Sequence, residues 1–298
     1  MKTNPTEGAA YEYANMCTLK ENFDDAIKYA KKSVELNPNM LPAYMLLGDV
    51  YSLKFDYVNS TKYFTEAENR ELTNAMLYTA WGNALLNLYK FEEAKEKFQK
   101  ALLKDLDSIE AQAGMAICLA ETKDFERMHD FITFVEEKNN KNLLIHEAKG
   151  LAELAYGNTE NAINMFKDIL NSNPKQYYNY YRLAKCYEKL GKTDMVKDSY
   201  EKIIKFSPNF VQAYVDYARF LIKLEDYKDA QRKLRKAEKL APNDSEILNL
   251  LFYTCYILVK ENLCEYNIKE AIDISNRIES FEHPELRAEL ETLLENLK

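Results

Sequence analysis

The chain is poor in the residues that tight turns and most catalytic sites depend on. Its 298 residues include 7 glycines, 7 prolines, 3 histidines and 1 tryptophan. So few turn formers argue against an all-β or α/β chain, and so few glycines exclude a glycine-rich phosphate loop. No apolar run approaches the ~20 residues of a membrane-spanning helix. The opening MKTNPTEGAAYEYANM holds no apolar stretch of the kind a secretory signal needs, so none is expected. The 5 cysteines (Cys17, Cys118, Cys186, Cys255, Cys264) make no CxxC pair and no metal pattern with histidine. A scattered, odd set of this kind reads as reduced thiols in a cytoplasmic protein, with no metal or cofactor expected.

What the chain does have is a repeat. The segment NFDDAIKYAKKSVELNPN (22–39) returns as KFEEAKEKFQKALLKDLD (90–107), NTENAINMFKDILNSNPK (158–175) and DYKDAQRKLRKAEKLAPN (226–243). Its alanines, Ala26, Ala94, Ala162 and Ala230, lie 68 residues apart, twice 34, and Ser60, Met128 and Val196 fill the places between. Seven units therefore run in register over 7–244 without insertion or deletion. Apolar, Ala-rich segments of this length, with proline at Pro38, Pro174, Pro208 and Pro242 to stop a helix, imply paired helices.

The pattern resembles the tetratricopeptide repeat family, a helix–turn–helix of ~34 residues with the framework W-x2-L-G-x2-Y, then A-x3-F, then P. Repeat 2 carries it as Tyr44, Leu47, Gly48, Tyr51, Ser60, Phe64 and Ala67; repeat 6 as Tyr180, Leu183, Ala184, Tyr187, Tyr200 and Pro208; repeat 7 as Tyr214, Tyr217, Ala218, Leu221, Ala230, Leu234 and Pro242. The resemblance implies an all-α, right-handed α-solenoid of about eight such units, with the first helix of each lining a concave groove. Repeats 4 and 5 depart from the framework, with Gln112 and His146 in the aromatic slot, Met128 in a small slot and Glu153 in a tyrosine slot. Residues 109–157 are accordingly expected to be the weakest part of the stack. Repeat 8 (245–282) breaks register, its helix-two alanine being Ala271, seven residues late, so each of its helices is expected to gain one turn. The tail 283–298 reads as a capping helix, with Leu286, Leu290, Leu293, Leu294 and Leu297 as its apolar stripe. No comparable cap precedes repeat 1, which leaves its first helix bare or marks a cut from something longer.

No converging nucleophile, acid–base pair or ligand set stands out, so an enzyme is not expected. The resemblance places positions 2, 5, 6, 9, 12 and 13 of each first helix on the groove. In repeats 2–5 these are mainly apolar and include Met45, Met76 and Asn83. In repeats 6 and 7 they include Tyr178, Tyr181, Arg182, Lys185, Lys189, Arg219 and Lys223, which are read as two short basic rows. Residues 177–244 carry 15 Lys+Arg against 10 Asp+Glu in a chain of net charge −8, although part of that excess belongs to QRKLRK (231–236) on a second helix.

The expected function is a scaffold that binds a protein or peptide in its groove, apolar toward repeats 2–5 and acidic toward repeats 6–7. The family's carboxylate clamp for chaperone tails is not expected, because Tyr11, Leu46, Met76 and Ala80 stand where its Lys, Asn and Arg belong. Single-stranded nucleic acid is the alternative through the tyrosines and cations of repeats 6–7, disfavoured by the overall acidity. A third reading makes the chain the repeat region of a larger enzyme or assembly factor. The sequence names neither a partner nor an oligomeric state.

Overall fold

The computed structural model describes residues 6–138, 143–262, 264–278 and 281–297, and among them there are seventeen helices and no strands. They fall into two bodies, Met1–Pro174 and Lys175–Lys298. The first body holds five antiparallel pairs: α1 (Glu7–Leu19) with α2 (Phe23–Leu36), α3 (Leu41–Leu53) with α4 (Tyr57–Asn69), α5 (Ala75–Asn87) with α6 (Phe91–Lys104), α7 (Ile109–Glu121) with α8 (Phe125–Lys138), and α9 (Leu143–Ala155) with α10 (Thr159–Ser172). The second holds three, α11 (Tyr177–Lys189) with α12 (Thr193–Phe206), α13 (Val211–Lys223) with α14 (Tyr227–Leu240), and α15 (Ser245–Glu261) with α16 (Glu265–Ser275), followed by α17 (Pro284–Asn296). First helices begin at residues 7, 41, 75, 109, 143, 177, 211 and 245, a spacing of 34 throughout. The architecture is a tetratricopeptide-like solenoid of paired helices.

The first seven of the first helices, α1 through α13, end the same way. The residue two beyond each last turn is left-handed at Glu21, Phe55, Tyr89, Lys123, Gly157, Gly191 and Glu225, with φ between 59° and 89°. The next backbone N–H then reaches back to a carbonyl five residues earlier, as from Asn22 to Cys17 and from Asp226 to Leu221, both 2.9 Å. This Schellman closure satisfies orphan carbonyls and reverses the chain. The same residue then starts the second helix: Asp56 Oδ1 accepts from the Asn59 N–H at 3.0 Å, for example.

Packing between paired helices depends on rings set against glycine. Phe64 lies on Gly48, Phe166 on Gly150, and Phe98 is held between Gly82 of α5 and Gly114 of α7. The repeat alanines Ala26, Ala94, Ala162 and Ala230 have no exposure at all, as a close helix crossing requires. Within 109–157, the departures in α7 are accommodated by packing. Ala111 through Ala120 of α7 are buried without interruption, and Gln112 replaces the tyrosine in kind. The Tyr44 and Tyr214 hydroxyls donate to the carbonyls of Pro38 and Pro208, at 3.2 and 3.0 Å; Gln112 Nε2 donates to Leu106 O, also six residues back, at 2.8 Å.

The last pair distributes its extra residues differently from the expectation. Only α15 gains a turn, reaching 17 residues, whereas α16 begins at Glu265 and has 11. In α17, Leu290 is fully buried and Leu286, Leu293 and Leu294 half-buried, while Leu297 is exposed. Tyr256 of α15 donates to Glu289 of α17 at 2.5 Å, and Lys260 pairs with the same carboxylate at 2.9 Å.

Neighbouring repeats are also tied by single polar links about one period apart. These are Lys54–Asp24 (2.8 Å), Lys100–Glu68 (2.8 Å) and Tyr57–Glu93 (2.7 Å) in the first body, and Lys233–Glu201 (2.6 Å) and Arg235–Glu270 (2.5 Å) in the second.

Candidate functional site

First helices pack on one another within each body, α3 on α5, α5 on α7 and α13 on α15, so their outward positions share a face. Counted from the helix start, position 6 is buried at Leu46, Gly114, Ala148, Arg182 and Asp216. Positions 2 and 13 are the open ones, exposed at Met76, Gln212 and Glu246 and at Leu53, Lys189 and Lys223.

In the second body this changes the reading of the basic rows. Arg182 is only 4% exposed, and its guanidinium carbon sits 5.1 Å from the Tyr178 ring centre, a cation–π arrangement. Tyr181 meets Tyr200 and Phe210 edge-on and donates its hydroxyl to Asp216. Asp216 is buried and collects the cations around it. Lys185 Nζ lies 3.8 Å from one oxygen, while Arg219 (3.3 Å) and Gln212 (3.2 Å) reach the other. Arg219 pairs in addition with Glu246, and Lys223 with Glu188 at 2.6 Å. The structure thus brings Tyr181, Lys185 and Arg219 together around one carboxylate, sets Lys223 against α11, and leaves Lys189 exposed at the end of that helix. Asp216, Glu188 and Glu246 were not read from the sequence as counter-ions. Their signal lies one period away, Asp216 being 31 residues beyond Lys185 and Glu188 35 before Lys223.

In the first body the face is apolar. Met76 is 63% and Leu53 39% exposed, and half-buried Met45 and Ala80 lie against the core below them. Asn83 is half-buried, and its Oδ1 has no hydrogen-bond partner among the described residues. At the same position one repeat earlier stands Asp49. Burial pushes its carboxyl up to about 7, and it has no ion pair among the described residues. Part of the side chain still meets solvent although protein surrounds it.

Three of the buried thiols, Cys118, Cys186 and Cys255, are held out of reach of nucleophilic chemistry. Cys17, Cys118, Cys186 and Cys255 are buried, and burial pushes Cys118 up to about 12 and Cys186 and Cys255 up to about 11, so they remain protonated. Among the described residues no group of three or more His, Cys, Asp or Glu could hold a metal ion, and no helix is long and apolar enough to cross a membrane.

Two family models match the chain, "TmcB, TPR repeats" over residues 118–246 and "Tetratricopeptide repeat" over residues 8–40. Human "Tetratricopeptide repeat protein 6" is 24% identical over 209 residues, which is 68% of this chain and 40% of that protein. The wheat (Triticum aestivum) "Hsp70-Hsp90 organizing protein" is 26% identical over 260 residues, 80% of this chain and 42% of its own length. The chain spans less than half the length of these two curated relatives. Among solved structures, the APC/C hetero-tetramer Cut9-Hcn1 superposes with a TM-score of 0.60 at 15% identity, covering 95% of this chain and 54% of that one. With the 34-residue spacing of its helices and its glycine-seated rings, the chain belongs to the tetratricopeptide repeat family.

Proposed function

We propose that this chain is a non-catalytic scaffold that holds a segment of a partner protein on the faces formed by its first helices. The observation that carries the reading is the exposed Met76 and Leu53 beside half-buried Met45, side chains that the framework does not require. Methionine is flexible and polarizable, so it adapts to varied apolar side chains. The second body offers Lys185, Lys189, Arg219 and Lys223 to acidic groups of the partner. Those groups would exchange with Asp216, Glu246 and Glu188, so this part of the face selects by charge more than it adds affinity. Chaperone-tail recognition of the clamp type is not proposed, despite the organizing-protein relatives, because Leu46 is buried and neither Met76 nor Ala80 carries charge.

The test is a pull-down from source lysate with the wild-type chain, Met45→Glu/Met76→Glu, and Lys185→Glu/Lys223→Glu, each variant first checked for native helicity. A protein retained by the wild type and lost by the methionine variant supports the reading. Equal recovery by all three would refute it.

A further inference from the structure

We propose a second binding site, on the α14–α16 side of the last two helix pairs, that takes a carboxylate-rich peptide segment of a partner protein. A cleft of about 390 Å³ there is lined by Gln231, Arg232, Arg235, Lys236, Lys239 and Glu270. Four cations thus face one carboxylate, and that carboxylate is already held by Arg235 at 2.5 Å. Arg235 also pairs with Glu238 at 2.9 Å, which Arg277 shares at 2.5 Å, and Arg232 pairs with Asp229 on its own helix. Lys236 and Lys239 are exposed and have no ion pair among the described residues.

The cleft follows from the register break. A second helix in phase would begin at 261, but α16 begins at Glu265 and is three residues shorter than α14, so the flank of α14 is covered over less of its length. A second hollow of about 390 Å³ shares Gln231 and Glu270 and continues past Lys228, Asn262 and Asn267. The two meet at Gln231 and Glu270 as one trough, cationic at one end and mixed at the other, where Asn262 and Asn267 stand with Leu258 and Glu261. An extended peptide could set side-chain carboxylates on Arg232, Lys236 and Lys239 and backbone groups on the amides.

Charge complementarity chooses the occupant. The chain carries −8 overall while residues 177–244 carry an excess of cations, four of which line this cleft, so an anionic segment is attracted to it. A nucleic-acid strand would need its bases held as well as its phosphates. The cleft lining contains no aromatic ring on which a base could stack. A membrane surface would meet a narrow trough in place of a broad basic face.

The test measures fluorescence anisotropy of a labelled octaglutamate peptide with the full chain, alongside octauridylate and vesicles with or without phosphatidylserine. Octaglutamate should bind, and weaken severalfold between about 50 and 200 mM salt. Lys236→Gln/Lys239→Gln should weaken it about tenfold, two exposed cations each contributing a modest share. Leu103→Ala, at an exposed position of the other body, should leave it unchanged. The proposal is overturned by no binding at low salt, by equal binding to the double variant, or by RNA or anionic vesicles binding more tightly than the peptide with the same dependence on Lys236 and Lys239.

Discussion

Gly114→Ala is the sharpest test of how the first body is packed. An added Cβ would stand within 2.7 Å of three carbons of the Phe98 ring. The ring cannot retreat, because a Cβ at Gly82 on its other side would come within 2.8 Å of three of its carbons, and Phe98 is fully buried. Alanine in a helix interior gains about 1 kcal/mol over glycine from backbone entropy. Overpacking a core costs about 1–3 kcal/mol, toward the upper end where nothing can move. The net expectation is a loss of ~1–2 kcal/mol, or a fall of about 0.5–1 M in the urea midpoint. Trp81 is the single tryptophan, is 4% exposed, and lies beside Gly82, so its fluorescence reports unfolding of this body. Gly8 is the control: nothing lies within 4 Å of its would-be Cβ, and alanine there should be neutral or stabilising. In the Phe98→Leu background Gly114→Ala should cost clearly less, the two changes being coupled through one contact. Stability equal to or above wild type for Gly114→Ala would refute the sandwich.

Three further outcomes are expected. Lys123 and Glu225 are exposed and left-handed at φ 63° and 60°, so glycine at either should raise stability by about 0.5–1 kcal/mol in urea titrations; a decrease would show the backbone there is not strained. Asp49 has a folded pKa of about 7, above its unfolded value, so the folded state holds the extra proton between pH 4 and 7, and stability falls as pH rises through that window. Asp49→Asn should remove that slope and add about 1–2 kcal/mol at pH 8, after allowance for its partial exposure; an unchanged pH profile would refute the burial argument. Gln112→Ala should cost about 1–2 kcal/mol by leaving Leu106 O without its donor, and Gln112→Tyr should recover most of the loss; equal stability of all three would remove the bond from the account.

Much of the fold was legible because its period is written in small residues, whose spacing reflects how closely two helices can cross. The turns were less so. Five of the seven left-handed first-helix ends carry Glu, Phe, Tyr or Lys in place of the usual glycine, so no turn residue marks them. The shift of α16 was foreseen as extra length but not as where that length would go. Lys189, Lys223 and Met76 are exposed as expected, but Arg182 is not. Arginine reads as a surface residue, yet position 6 is buried in repeat after repeat, and there its charge is set against the Tyr178 ring. Lys185 and Lys223 looked free because their counter-ions, Asp216 and Glu188, sit about one repeat away, on helices that only the stack brings alongside.

The links that run from one repeat to the next have a consequence for how such a chain can evolve. Apolar faces of similar hairpins are nearly interchangeable, and a stack held by them alone would tolerate shuffled or duplicated repeats. Lys54 answers Asp24, Lys100 answers Glu68 and Lys233 answers Glu201, so these three junctions each carry a pairing of their own. A repeat copied elsewhere would bring a charge whose complement stayed behind. The chain is modular in shape but addressed in order, and its length can change most freely at the ends, where one junction is disturbed instead of two.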